Sequence, residues 1–304
     1  MQGNRTLFEA FAADGRFWRG NLHGHSTGSD GAYSPDEVCA RYRAAGYDFI
    51  CVSDHFLARY GHPVTDTRPA RGSGFTTLLG AELHAPATGQ GELWHIVAAG
   101  LPADFAATGP DETGPDLARR ATAAGAFVAL AHPHWSQLTL ADGQSVEVAH
   151  AVEVYNHKSA VEVDRGDGLV LYDALLHAGR RIGAIASDDS HHHEYDLFGG
   201  WVMVKAAENT PEALLAALKS GAYYASQGPE IRDVARDGDD LVIACSPAQS
   251  IVLAGPLTWR QRVLGDGLTG ARFALEPEQG GWRRLIVRDA AGRRAWSNPL
   301  WLDA

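Results

Sequence analysis

The stretch Phe49-Ile-Cys-Val-Ser-Asp-His55 decides the reading of the fold. Its apolar run does not alternate, which is the pattern of a parallel strand buried on both faces. Its C-terminal end delivers an acid and an imidazole, Asp54 and His55. Just upstream, Ser34-Pro-Asp-Glu37 opens a helix, with Ser34 as N-cap, Pro35 at the first helical position and Glu37 closing a capping box. Val38, Tyr42 and Ala45 recur at helical spacing, and Gly46 ends the helix. Further upstream, Trp18 to His23 is expected as a short strand that runs into Asn21-Leu-His-Gly-His-Ser-Thr-Gly-Ser-Asp-Gly31. His23 and His25, at i and i+2 on extended backbone, share one face and can reach one cation. Asp30 follows close behind.

The same unit recurs downstream. Leu78 to Leu83 is expected as a strand carrying Glu82, and Trp94 to Ala99 as another with His95 at its start. An antiparallel link through Ala85 to Gly91 would bring those two side chains together. A helix over Asp116 to Ala124 precedes the strand Phe127 to Ala131, which ends at His132-Pro133. Ala151 to Tyr155 leads to Asn156-His157 and a helix over Leu169 to His177. Ile182 to Ala186 ends at Ser187-Asp-Asp-Ser-His191. A strand over Trp201 to Lys205 and a helix with Thr210 as N-cap, Pro211 at its first position and Gly221 past its end complete this part. Strand and helix alternate over roughly 200 residues with ligand-type side chains at one end of nearly every strand, which is how a (β/α) barrel places its site. After Gly228-Pro229 the pattern changes. Leu241 to Cys245, Ser250 to Ala254, Arg272 to Leu275 and Trp282 to Val287 are short strands separated by Asp-Gly-Asp-Asp, Gly-Asp-Gly and Gln-Gly-Gly turns. They predict a small antiparallel, sandwich-like β domain that ends in a turn at Asp289 to Arg293 and a strand over Arg294 to Leu302. The expected division is 1–228 and 229–304.

The length of 304 residues suits one large barrel with a small appendage. No apolar run of about 18 residues occurs, and Met1 to Asp14 lacks the pattern of a signal peptide. A cytoplasmic protein without a membrane span is expected. Cys39, Cys51 and Cys245 are scattered, which favours buried free thiols over disulfides or thiolate metal sites. A net charge of −11 argues against stable nucleic-acid binding. Metal ions could still give an acidic chain the charge to hold a small anion. All 14 histidines lie between His23 and His193, which puts the chemistry in the first two-thirds of the chain.

The ordered set His23-x-His25, Asp30-Gly31, Asp54-His55, Glu82, His95, His132-Pro133 and Asp189-x-His191 resembles the PHP superfamily, the polymerase and histidinol phosphatase type of metal-dependent phosphoesterases. The resemblance implies an α/β fold, a distorted (β/α)7 barrel, with two to three divalent metal ions. His23, His25, Glu82 and Asp189 would hold one ion, and Glu82 would bridge to a second completed by His95 and His132. Asp30, His55 and His191 would hold the third. His84 competes with His95, because Glu82-x-His84 is also a possible pair; spacing favours His95. Imidazole and carboxylate without thiolate suit Zn, Mn or Fe. Ions bridged by Glu82 would lower the pKa of a shared water and provide hydroxide. Three such ions against Asp30, Glu82 and Asp189 leave a charge of roughly +3, which favours an anionic substrate such as a phosphate ester.

Among neighbouring residues, His134, Asn156 and His157 are the candidates for catalysis or substrate contact. Asp54 is read as orienting a ligand imidazole or capping the next turn. Lys158 and Arg59 are candidates for a phosphate clamp, and Trp94 and Trp135 for pocket walls. At most one of His192 and His193 is expected to reach the metals. Gly221 to Pro229, with Arg294-Ala-Trp-Ser-Asn-Pro299, is similar to the CehA/McbA-type metallohydrolases of the PHP group, some of which cleave carbamate or aryl esters. The expected function is therefore hydrolysis of a phosphate mono- or diester, with a carbamate or carboxyl ester hydrolase as the alternative and a non-catalytic binding module as a third reading.

Overall fold

The structure, a computed structural model, describes residues 9–193, 195–275 and 280–302. After a short α1 (Glu9–Ala12), β1 (Arg16–Asn21), α2 (Pro35–Ala44) and β2 (Phe49–Val52) form the first expected unit. The Ser34 hydroxyl accepts from the Glu37 N–H, and the Glu37 carboxylate accepts from the Ser34 N–H, so α2 starts as its sequence dictates. β2 is buried along its whole length and pairs parallel with β1 on one side and β4 (Thr76–Leu83) on the other. β3 (His55–Phe56) lies beside the end of β4 and sets His55 opposite Glu82. β5 (Ile96–Ala99) runs antiparallel to β4, with Leu83 opposite Ile96, while Trp94 and His95 precede the strand. α3 (Gly114–Ala123), β6 (Phe127–Leu130), α4 (Leu140–Ser145), β7 (Ala151–Asn156), α5 (His157–Val163), α6 (Leu169–His177) and β8 (Gly183–Ser187) follow. β5 and β6 are antiparallel, whereas β6, β7 and β8 are parallel. The chain returns through β9 (Trp201–Ala206), antiparallel to β1, then α7 (Pro211–Ser220) and β10 (Tyr223–Ser226).

The result is a mixed α/β fold on one large sheet, and that sheet is open. Seven strands lie in the order β1, β2, β4, β5, β6, β7, β8, but β8 does not pair with β1 to close a barrel. β1 has only two edges, and β2 and β9 take them both. The Gly24–Ser190 bridge spans the gap at one end. At the other end Asn298 acts as a clasp: its Oδ1 accepts from the Ala184 N–H, and its Nδ2 donates to the carbonyls of Gly221 and Tyr223.

The period-two alternation of a strand explains what the curled sheet encloses. One face contributes Phe49, Cys51, Leu78, Val97, Ala99, Phe127, Ala129, Ala151 and Ile185 to a single apolar cluster. Glu82 is in phase with Leu78, His95 with Val97, Glu153 with Ala151, and Asp189 with Ile185. The alternation that packs the interior therefore carries the polar residues to its top. The opposite faces pack against α3 and α6 through Ala98, Leu117, Val128 and Leu175.

The C-terminal strands are β11 (Ile231–Asp237), β12 (Asp240–Ala254), β13 (Arg260–Ala274), β14 (Trp282–Arg288), β15 (Arg294–Ser297) and β16 (Leu300–Trp301). Here the expected short strands are corrected. Leu241 to Cys245 and Ser250 to Ala254 are parts of one 15-residue strand, bulged between Ala244 and Ser250. The Gly265-Asp266-Gly267 segment lies within β13 and is not a turn. The Asp289 turn is as expected, with Asp289 accepting from the Arg293 N–H and Nε. Pro299 splits the terminal strand. Gln279 of the expected Gln-Gly-Gly turn, and residues 1–8 of the expected leaderless start, lie outside the described residues. β15 pairs with β10, so these strands continue the large sheet. Among the described residues no helix is long and apolar enough to cross a membrane.

Candidate metal centre

The ends of β1, β3, β4, β5, β6 and β8 converge on one cluster. Four groups of donors have ligand atoms within 4.8 Å of one another: His25, Asp30, His55 and His191; His55, Glu82, His84 and His95; His23, Glu82 and His132; and His23, His25 and Asp189. The structure thus brings together His23, His25, Asp30, His55, Glu82, His95, His132, Asp189 and His191, and it adds His84. Glu82 is the hub. Its Oε1 lies 2.7 Å from His95 Nδ1, 3.1 Å from His132 Nε2 and 3.5 Å from His23 Nε2. Its Oε2 lies 2.5 Å from His55 Nδ1 and 3.8 Å from His25 Nε2. Asp189 Oδ1 sits 3.2 Å from His23 Nε2 and 3.0 Å from His25 Nε2. Asp30 reaches His55 Nε2 at 3.4 Å and His191 Nε2 at 3.3 Å. Two of these residues, His132 and Asp189, hold φ of 23° and 54°, the left-handed region that a non-glycine residue enters at a cost of about 1–3 kcal/mol and that gathers at functional sites.

Three observations test whether these residues fit a divalent ion. A tetrahedral ion with bonds of about 2.0–2.1 Å sets neighbouring donors roughly 3.3 Å apart. Most of the separations above cluster near that value. Second, His23 Nε2, His25 Nδ1 and Glu82 Oε2 are buried without a hydrogen-bond partner, an arrangement that costs free energy unless something else satisfies them. Third, several imidazoles are anchored through the opposite nitrogen. His23 Nδ1 donates to Glu153 Oε1 at 2.7 Å, His132 Nδ1 to Ser136 Oγ at 2.9 Å and His191 Nδ1 to the Asp189 carbonyl at 3.0 Å. Each Nε2 is left to face the cluster, which is how metal-ligating histidines are held. The residues fit.

The electrostatics agree. Burial lowers the pKa of His25 to about 3 and of His95 to about 4, which leaves their lone pairs free. Burial also disfavours charge on His23 and His55, but Asp189 and Glu153 beside the first, and Glu82 and Asp30 beside the second, overcome it; His55 is raised to about 10. Asp30 is held well below the usual carboxylate range by His191 and His55, against its burial. Without a cation, protons stand between these carboxylates and imidazoles; a cation would displace them.

Of the residues read as catalytic candidates, Asn156 bonds to one donor of the cluster, Asp189, while His134 and His157 stand apart. His134 is exposed on the turn after β6 and does not line the cavity. His157 Nδ1 pairs with the Tyr155 hydroxyl at 2.9 Å, away from the cluster. Asn156 is buried; its Nδ2 donates to Glu153 and Asp189, and its Oδ1 accepts from the Ser159 N–H, so it orients carboxylates and caps α5. Asp54 accepts from Ser26, Ser29 and Thr65, so it fastens the loop before Asp30 and does not touch a ligand imidazole. His192 is buried beside Tyr33, and His193 is exposed. Trp94 is in the core. Glu153 is the functional residue that the sequence reading missed. A lone acid in the apolar run of β7 was its only signal.

A cavity of about 290 Å³ opens onto the cluster. Arg59, Lys158, Trp135, Leu57 and Leu93 share its walls with the donors. A larger cavity of about 740 Å³ lies at the opposite strand ends, near Ala149 and Ile182, and contains none of the donors.

No protein-family model matches the chain, and no curated protein does. Solved structures do. A two-domain protein from Bacteroides vulgatus, containing a predicted PHP-like metal-dependent phosphoesterase, superposes with a TM-score of 0.53 at 15% identity over 95% of both chains. At this identity the likeness is one of fold. A candidate metal-dependent phosphoesterase from Bifidobacterium adolescentis gives a TM-score of 0.42 at 14% identity, over 57% of this chain and 87% of that one. An amidohydrolase from Chromobacterium violaceum, with bound sulfate and no metal, gives 0.38 at 16% identity over the same shares.

Proposed function

We propose that the chain is a PHP-type metal-dependent hydrolase of the CehA/McbA branch that cleaves a phosphate mono- or diester. In this reading the curled β1–β8 region with its helices is a distorted (β/α)7 barrel, residues 1–228 form the catalytic unit and 229–304 a small β domain. The observation that carries it is the convergence of nine sequence-read donors, Glu82 and Asp189 among them, on one cluster with orphaned buried atoms in it. His23, His25, Glu82 and Asp189 would hold one ion, Glu82, His95 and His132 a second, and Asp30, His55 and His191 a third, as Zn, Mn or Fe. Bound ions would lower the pKa of a water and draw charge off the substrate oxygen.

The chain's own groups do the rest. Glu153 adds a fourth negative charge, so three divalent ions would leave roughly +2 rather than +3, still a site for an anion. Lys158 and Arg59 stand on the wall of the same cavity, where each can reach a phosphoryl oxygen. Leu57, Leu93 and Trp135 line another part of it and favour an apolar group on the ester. Those same residues support the second reading, a carbamate or carboxyl ester hydrolase with the same ions.

Metal-replete protein assayed on p-nitrophenyl phosphate, its bis ester and p-nitrophenyl acetate separates the two. Phosphoester turnover that falls when Lys158 or Arg59 is replaced by Ala is expected. Rapid acetate cleavage with no phosphoester turnover would overturn the phosphoesterase reading.

A further inference from the structure

His84 is buried, stands two residues past the hub Glu82, and has no part in the three ion positions above. Its Nδ1 lies 3.0 Å from the Trp94 carbonyl, which can only accept, so Nδ1 carries the proton and Nε2 the lone pair. That lone pair faces His55 Nδ1 at 2.9 Å, so His55 must in turn be protonated at Nδ1. Glu82 Oε2 is near the same nitrogen but makes no hydrogen bond. The other nitrogen of His55, Nε2, faces Asp30 at 3.4 Å, where an ion would displace its proton and meet the lone pair.

We propose that His84 is the positioning residue of the third ion position: its Nε2 accepts a hydrogen bond from the His55 Nδ1–H and so presents His55 Nε2 as a ligand. The inference rests on the metal-site reading above. The second imidazole there, His191, obtains the same tautomer from the Asp189 carbonyl. His55 cannot do this directly, because its Nδ1 faces Glu82, whose oxygens would be committed to the ions. His84 supplies the missing acceptor. The relay ends on rigid backbone: the Trp94 N–H donates to the Ala85 carbonyl at 2.8 Å, closing the loop between β4 and β5.

The test is metal content of the full chain, stripped and then dialysed against buffered free Zn²⁺, for wild type, Asp30→Asn, His84→Leu and His84→Gln. Wild type is expected to take up three equivalents. His84→Leu should weaken one of them by about 10–100-fold, the usual effect of removing an outer partner of a ligand histidine. It should be the equivalent that Asp30→Asn loses, so the double variant loses no second one. Gln offers a carbonyl to the His55 N–H and should retain most of that affinity. Three equivalents bound by His84→Leu at wild-type affinity would overturn the proposal. So would a Gln variant as weak as Leu, a double variant short of two ions, or a wild type that stops at two. A wild type that binds none would sink the metal-site reading itself.

Discussion

Replacing Glu153 by Gln removes one charge at nearly constant volume from a residue with no exposed surface. Its Oε1 accepts from His23 Nδ1 and the Ser187 hydroxyl, and its Oε2 accepts from the His132 N–H at 2.6 Å and from Asn156 Nδ2 at 3.1 Å. All four partners donate. A glutamine has one carbonyl oxygen, so its NH₂ must face two of these donors, and two hydrogen bonds to a charged acceptor are lost. At about 1.5–3 kcal/mol each, the fold should lose roughly 3 kcal/mol or more. The metal effect depends on which way the amide turns. With the NH₂ toward His23, the ring must accept at Nδ1 and carry its proton on Nε2, where an ion would bind. Turned the other way, it loosens the backbone that positions His132. Either outcome should weaken the Glu82-bridged ions by about 10–100-fold, or roughly 1.4–2.7 kcal/mol. Competition against a chelator of known affinity reads this directly, with thermal unfolding as the stability check. Glu153→Gln protein that competes as well as wild type would refute the assignment of Glu153 to the support of His23.

Three further outcomes are expected. His25→Ala or Asp189→Ala should abolish both bound metal and hydrolysis, and full metal retention by either, measured by elemental analysis, would contradict the ligand set. For chelator-stripped protein, His55 rises from an unfolded value of about 6.5 to about 10 in the fold, so its stabilisation is complete below about pH 6.5 and is lost as pH rises through about 10. The melting temperature of stripped protein should therefore fall over that window, and added metal, which replaces the proton, should raise it more at pH 9 than at pH 6; a flat or rising profile for the stripped form would count against the shift. Asn298→Ala removes the three hydrogen bonds that clasp β8 to β10, and denaturant unfolding should show a loss of about 2–3 kcal/mol.

The strand order from β1 to β8 and most of the donors were legible because both follow from one regularity. A buried parallel strand has to be apolar, so a His or carboxylate at its end stands out, as His55, His132 and Asp189 do. What stayed hidden breaks that rule or depends on pairing. Glu153 lies inside the apolar run of β7 and looks like an ordinary interruption; only its phase with Ala151 gives it away. His134 reads in sequence as a candidate for catalysis or substrate contact, but the left-handed turn at His132 sends it to solvent. The open edge of β8 followed from β9 taking the second edge of β1, a long-range choice that no local pattern encodes. β13 is largely exposed, so it lacked the alternation that reveals a strand.

The ambiguity between His84 and His95 shows where spacing reaches its limit. Both can approach Glu82, and both do: Nδ1 of His95 lies 2.7 Å from Oε1, and Nε2 of His84 lies 3.5 Å from Oε2. Residue 84 directly follows β4 and keeps phase with residue 82, which is why His84 arrives at the cluster at all. His95 reaches it from the antiparallel neighbour, through the register that pairs Leu83 with Ile96. The difference lies in the opposite nitrogen. His84 Nδ1 is tied to backbone, so its Nε2 can serve another imidazole, whereas His95 already presents Nδ1 to the hub carboxylate. In a cluster this crowded, a histidine's role is set less by its distance to the centre than by the partner of its second nitrogen, and a one-dimensional sequence does not display that partner.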